Sequence, residues 1–147
     1  MKLLFSRQRH IGSLGIRLVT WSTWSHVDII VGENKIISAN ARHGVSYDTL
    51  DYRLNNSSKA VIVDIPLPDE KSAELWGSSQ IGKKYDWVGV AGLGFHREWD
   101  NEDKWWCSEF ALGYAKHGGF IPFREKYLRR VTPEHLWMLN FPITEIK

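Results

Sequence analysis

The sequence predicts an α+β domain in which an antiparallel sheet packs against helices. Two observations carry this. Between Lys2 and Leu67 the apolar runs are short and β-like, whereas beyond Pro68 they fall at helical spacing behind capping residues. At 147 residues the chain is expected to form one domain spanning 1–147, and no repeat or low-complexity stretch divides it.

The elements follow in order. "KLLF" (2–5) reads as a first strand, and "GSLGIRLVTW" (12–21) as a helix capped by Ser13, with Leu14, Ile16, Leu18 and Val19 as its apolar positions. "HVDIIVG" (26–32) and "KIISA" (35–39) are separated by Glu33 and Asn34 and read as a hairpin. "GVSYDTL" (44–50) and "AVIVDIP" (60–66) supply further strands, and Pro66 and Pro68 close this half. Asp69 then caps a helix over "EKSAELWGSSQ" (70–80). "YDWVGVAGLGF" (85–95) is a close-packed or broken Gly-rich helix, and "HREWDNEDKWW" (96–106) a polar loop. In "CSEFALGYAKHGG" (107–119), Cys107, Phe110, Ala111 and Tyr114 fall on one helical face, and Gly118 and Gly119 end the helix. Thr132 and Pro133 open a last helix over "TPEHLWML".

Composition removes several function classes. The net charge of +2 with scattered basic residues does not suggest nucleic-acid binding. One cysteine excludes a disulfide framework and thiolate-rich zinc sites, and no His-x-x-x-His pair supports a metallohydrolase. "GSSQIGKK" (77–84) has Lys84 where a phosphate-binding loop needs Ser or Thr, and "DNED" (100–103) lacks the glycine and distal glutamate of a calcium loop. No cofactor is expected. The opening "MKLLFSRQRHIG" is too short an apolar stretch for a signal peptide, and no window approaches the roughly 18 apolar residues of a membrane span. The chain is therefore expected in the cytoplasm when made, with phage-mediated lysis open as a route out. Eight tryptophans are many for this length, and some are expected to line a groove.

Cys107 stands at the start of its helix, after Trp105 and Trp106. A helix N-terminus carries about half a positive charge, and a thiol placed there beside an imidazolium can have a pKa of roughly 3.5–7.5. Its backbone N–H could also face an oxyanion. Read otherwise, Cys107 is a small buried hydrophobe. Of six histidines, His26 is the base of choice, because a strand start fixes its side chain at the rim of a sheet; Asp28 shares its face. His96 is the weaker rival, while His10, His43, His117 and His135 read as surface or structural residues.

"WSHVDIIVGENKIISANARHGVSYDTL", "IGKKYDW" and "WWCSEFALGYAKHGG", with "GIRLVTWSTWSHV" and "VTPEHL" at their flanks, together resemble the circularly permuted papain-like cysteine hydrolases. The likeness is to the YiiX/YebB-like group of the NlpC superfamily, whose cousins include the lecithin:retinol acyltransferase-like enzymes. It covers about Gly12 to Leu136. The resemblance implies a permuted papain-like fold with Cys107 as nucleophile and His26 as general base. A third polar residue on the following strand would orient the imidazole. Ser38 holds the matching position, where relatives often have His or Glu, and Asn40 lies two residues on along the same face; both stay open. Tyr85 matches the family's tyrosine near the nucleophile and would help bind the oxyanion, or else simply pack. Glu109 reads as a partner of the helix N-terminus rather than of the chemistry.

The resemblance implies acyl transfer through a thioester. The expected substrate is an amide, in particular a cell-wall peptide. A lipid ester, or a binding module without turnover, are the alternatives.

Overall fold

A computed structural model of the chain describes residues 1–9, 22–88 and 104–147. The Ser13-capped helix, His10, His96, the acidic run 100–103 and most of the Gly-rich stretch lie outside the described residues.

Six strands form one antiparallel sheet: β1 (Lys2–Gln8), β2 (His26–Gly32), β3 (Lys35–Asn40), β4 (Gly44–Asp48), β5 (Ser57–Asp64) and β8 (Ile143–Glu145). Their spatial order is β4-β3-β2-β1-β5-β8. Alternation along each strand sorts the two faces. Leu3, Phe5, Val27, Ile29, Ile37, Ala39, Val61 and Val63 join the buried core, and each of these side chains other than the small Ala39 contributes about 1.5–3 kcal/mol by leaving water. The other face carries His26, Asp28 and Ser38, all buried.

Among the described residues four α-helices accompany the sheet: α1 (Leu50–Asn55), α2 (Glu70–Ser79), α3 (Cys107–His117) and α4 (Pro133–Trp137), with a 3-10 turn at Glu125–Arg130. Asp69 caps α2 as expected, its Oδ1 accepting from the Ser72 N–H at 3.0 Å. Helix α3 is apolar on Phe110, Ala111, Tyr114 and Ala115 and packs across β2 and β3. Helix α2 lies close against α3 because glycines meet aromatic rings at the seam. A Cβ at Gly113 would stand 2.4 Å from Trp76 Cη2, and one at Gly77 would stand 2.8 Å from the Tyr114 ring.

The structure differs from the sequence reading at several joints. The strand expected over 44–50 stops at Asp48, because Thr49 leaves the sheet and caps α1, its Oγ1 accepting from the Tyr52 N–H at 3.2 Å. Strand β5 begins at Ser57 rather than Ala60, extended by pairing with Arg7 and Gln8. The end of the expected polar loop is ordered: Lys104–Trp105 forms β7, parallel to β6 (Lys84–Tyr85). The turn before β6 shields the open edge of β4, since the Val45 N–H donates to Lys83 O at 2.8 Å and the Gly82 N–H donates to Val45 O at 2.9 Å. Strand β7 runs directly into Cys107.

Candidate active site

His26 is the first residue of β2, and the segment before it is held from two sides. Glu134 of α4 accepts from the Thr23 N–H at 2.7 Å and from the Ser22 hydroxyl at 3.2 Å. Trp24 packs against Phe5 and Trp137 with ring centroids 6.0 and 5.0 Å away. The Ser25 N–H and hydroxyl both donate to Ser6 O, and Ser25 Oγ accepts from the Gln8 N–H at 2.9 Å. The backbone entering His26 therefore has little freedom, and the imidazole position is set before any ligand arrives.

The ring meets Asp28, the next residue on its own face. His26 Nε2 lies 3.0 Å from Asp28 Oδ1 and 3.3 Å from Ser38 Oγ. The same Oδ1 accepts from the Ser38 hydroxyl at 2.7 Å and from Arg53 at 2.9 Å. Arg53 reaches in from α1, its Nε 2.9 Å from Asp28 Oδ2. That second contact is an ion pair off the hydrogen-bonding line, since neither atom has a well-directed partner. With Nε2 engaged, Nδ1 is the ring nitrogen left for proton transfer.

This cluster sets the charges. Burial alone would lower the His26 pKa; the Asp28 carboxylate raises it, Arg53 lowers it, and negative charge at Cys107 raises it again, leaving it at about 9. The ring is thus an imidazolium near neutral pH. Burial would raise the Asp28 pKa, but His26, Arg53 and the hydrogen bonds outweigh it and hold the carboxyl below its usual range.

Cys107 is the first residue of α3 and is 4 % exposed. No side chain caps this helix end, so its first N–H groups are not taken by a cap. The next residue anchors the turn, with the Ser108 hydroxyl donating to Val131 O at 2.6 Å. Charge at Cys107 acts on His26 and also on Tyr85, whose phenol is pushed well above its usual pKa by burial first, then by Cys107 and Asp86. Tyr85 therefore stays a proton donor, and its hydroxyl has no hydrogen-bond partner among the described residues. A cleft of about 1090 Å³ is lined by His26, Tyr85 and Trp87, among others. Trp87, 56 % exposed, answers the expectation of a tryptophan in a groove.

Of the two residues left open as the third member, Ser38 reaches His26 and Asn40 does not. The Asn40 amide donates to Ser46 Oγ at 2.9 Å, and its Oδ1 accepts from the N–H groups of Arg42 and His43 at 3.2 and 2.7 Å. His117 stacks on Trp76 and donates from Nδ1 to Gly113 O, and His135 accepts from the Thr132 N–H, so both have structural partners. Sequence reasoning put Asp28 on the right face but did not assign it a contact. It missed Arg53 altogether; the only signal was an arginine in a short run between two strands.

No family model matches the chain, and no curated protein sequence matches it. Among solved structures, it is similar to the crystal structure of the metalloprotein YiiX from Escherichia coli O157:H7. The two superpose with a TM-score of 0.67 at 18 % identity, over 99 % of this chain and 94 % of the other. At that identity the likeness shows a shared fold: the chain has a YiiX-like α+β architecture built on a six-stranded antiparallel sheet.

Proposed function

We propose that the protein is a thiol-dependent hydrolase of the permuted papain-like kind, cleaving an amide bond of a cell-wall peptide through a thioester. One observation carries the reading. A buried histidine, fixed by Asp28 and Ser38, opens β2, and the cysteine opens α3, a helix with no side-chain cap at its N-terminus that packs across β2.

The steps follow from the positions. His26 holds the proton that leaves the Cys107 thiol, and the sulfur attacks the carbonyl carbon. The oxyanion accepts hydrogen bonds from the Cys107 N–H and the Tyr85 hydroxyl. As the C–N bond breaks, His26 passes its proton to the departing amine. Water then attacks the thioester while His26 takes up a proton, and the carboxylic acid leaves with the thiol restored. Asp28 and Ser38 act as positioning residues, keeping Nε2 engaged and leaving Nδ1 for transfer.

YiiX is described as a metalloprotein. The residues here do not fit a metal centre. Asp28 Oδ1 already accepts from three donors, and the raised pKa of His26 favours the protonated ring over a ligand lone pair. No group of three or more His, Cys, Asp or Glu side chains converges among the described residues. No step is routed through a metal.

A second reading, a binding module without turnover, draws on the burial of Cys107 at 4 % exposure. Incubation with purified cell wall separates the two. The hydrolase releases soluble peptides and the Cys107→Ala variant does not. Turnover of lipid esters or short thioesters without wall activity selects the esterase branch, and no turnover of either selects the module.

A further inference from the structure

One short segment, Val131 to Trp137, touches both the strand start that carries His26 and the helix start that carries Cys107. Val131 O accepts from the hydroxyl of Ser108, the residue after Cys107, at 2.6 Å. One turn on, Glu134 Oε2 accepts from the Thr23 N–H at 2.7 Å and from the Ser22 hydroxyl at 3.2 Å. Trp137 follows on the same face of α4 and packs on Trp24, with ring centroids 5.0 Å apart. The segment therefore grips the residues that lead into His26 at one end and the residue that follows Cys107 at the other.

The segment keeps its own shape. Thr132 and His135 close a reciprocal capping box, in which the Thr132 N–H donates to His135 Nδ1 at 3.0 Å. Pro133 sets the first helical position, and Pro133 and Leu136 are buried. The two starts it holds have less support of their own. The register of β2 with β1 reaches Ser6↔His26, whereas its register with β3 begins at Ile29↔Ile37, so the sheet pairs the His26 end on one side only. Helix α3 has no side-chain cap. Half-paired strand ends and uncapped helix ends are the places where a chain frays first.

We propose that Glu134 is a positioning residue for the candidate Cys107–His26 pair, and that Val131–Trp137 is the brace that sets where the strand start and the helix start stand relative to one another. The inference rests on the hydrolase reading and adds to it the part of the chain that holds the pair in reacting geometry. Glu134 also lies in the first turn of α4, where the helix dipole favours a negative charge. The two roles are separable, because the dipole needs the charge and the brace needs the reach.

The test uses two conservative substitutions. Glu134→Gln keeps an acceptor oxygen at the same reach and removes the charge. Glu134→Asp keeps the charge and draws the oxygens back by one methylene. The readout is the shift of the His26 NMR midpoint caused by Cys107→Ala, measured in each Glu134 background. A purely structural loss lowers thermal stability without moving this shift at temperatures where the protein stays folded. Coulomb energy halves when the separation doubles, so the shift is expected to shrink by about half or more in Glu134→Asp and to stay near the wild-type value in Glu134→Gln. Ser108→Ala cuts the opposite tie and should shrink the shift too, which decides the matter where Glu134→Asp fails to fold. Release of peptides from purified cell wall should fall in parallel, about 100-fold in Glu134→Asp and much less in Glu134→Gln. An unchanged shift in Glu134→Asp and in Ser108→Ala overturns the brace while leaving the hydrolase reading intact. A shift kept in Glu134→Asp and lost in Glu134→Gln overturns it as well, and makes Glu134 a residue of the helix dipole. Absence of any shift in the wild-type background removes the hydrolase reading and this proposal with it.

Discussion

His26 Nε2 lies 3.0 Å from Asp28 Oδ1, its neighbour but one on the same strand. Period-two geometry puts the two side chains on one face, and burial leaves the carboxylate with the imidazolium, Ser38 and Arg53 as partners. Stability, titration and reactivity are all expected to pass through this pair.

The first consequence is a dependence of stability on pH. His26 has a folded pKa of about 9 against 6.5 unfolded. Its contribution is complete below about 6.5, declines as pH rises, and is gone above about 9, an effect on the order of a few kcal/mol. Asp28 works in the opposite sense, since its folded pKa is depressed below 3.8. Its contribution is present above that value and is lost as pH falls through the lower folded one. Urea denaturation across this range should show a falling alkaline limb in the wild type and a flatter one in His26→Gln.

Arg53→Met removes one side of a buried ion pair. Breaking such pairs costs about 3–5 kcal/mol, and combining it with Asp28→Asn should recover part of that loss. Arg53 lowers the His26 pKa, so its removal should move the His26 midpoint upward. A pKa that falls in Arg53→Met would mean that the carboxylate had been displaced from the ring.

At the helix seam, Gly113→Ala drives a methyl group to within 2.4 Å of Trp76. Overpacking of this kind costs about 1–3 kcal/mol, offset in part by the better helix propensity of alanine. Thermal unfolding should show the loss, and Trp76→Phe in the same background should restore some of it.

Tyr85→Phe separates a hydrogen bond to the oxyanion from simple packing. Loss of one such donor lowers turnover about 100-fold. Alkylation of Cys107 by iodoacetamide forms no oxyanion and should fall much less. Equal losses in the two assays would make Tyr85 a packing residue.

Much of this was legible in the sequence. The β2–β3 hairpin shows in its alternation, and α3 shows in the spacing of Cys107, Phe110, Ala111 and Tyr114, so the strand start and helix start that carry the candidate pair were placed correctly. Other parts had no local signal. Helix α1 is six residues long, too short for a periodic pattern, and it hid Arg53. Strand β8 has all three residues exposed and exists through backbone pairing with β5. Asn40 has the residue type and the strand position of an orienting residue. What commits it to the turn is the conformation of Arg42 to Gly44, a tertiary fact that strand spacing does not contain.

The pairing of Cys107 with His26 is tested most directly by NMR titration of the His26 ring in the wild type and in Cys107→Ala. Negative charge at Cys107 raises the ring's pKa. A wild-type midpoint near 9 that drops in the alanine variant is the predicted result. An identical midpoint in both proteins would contradict it, because the sulfur and the ring would then not sense one another.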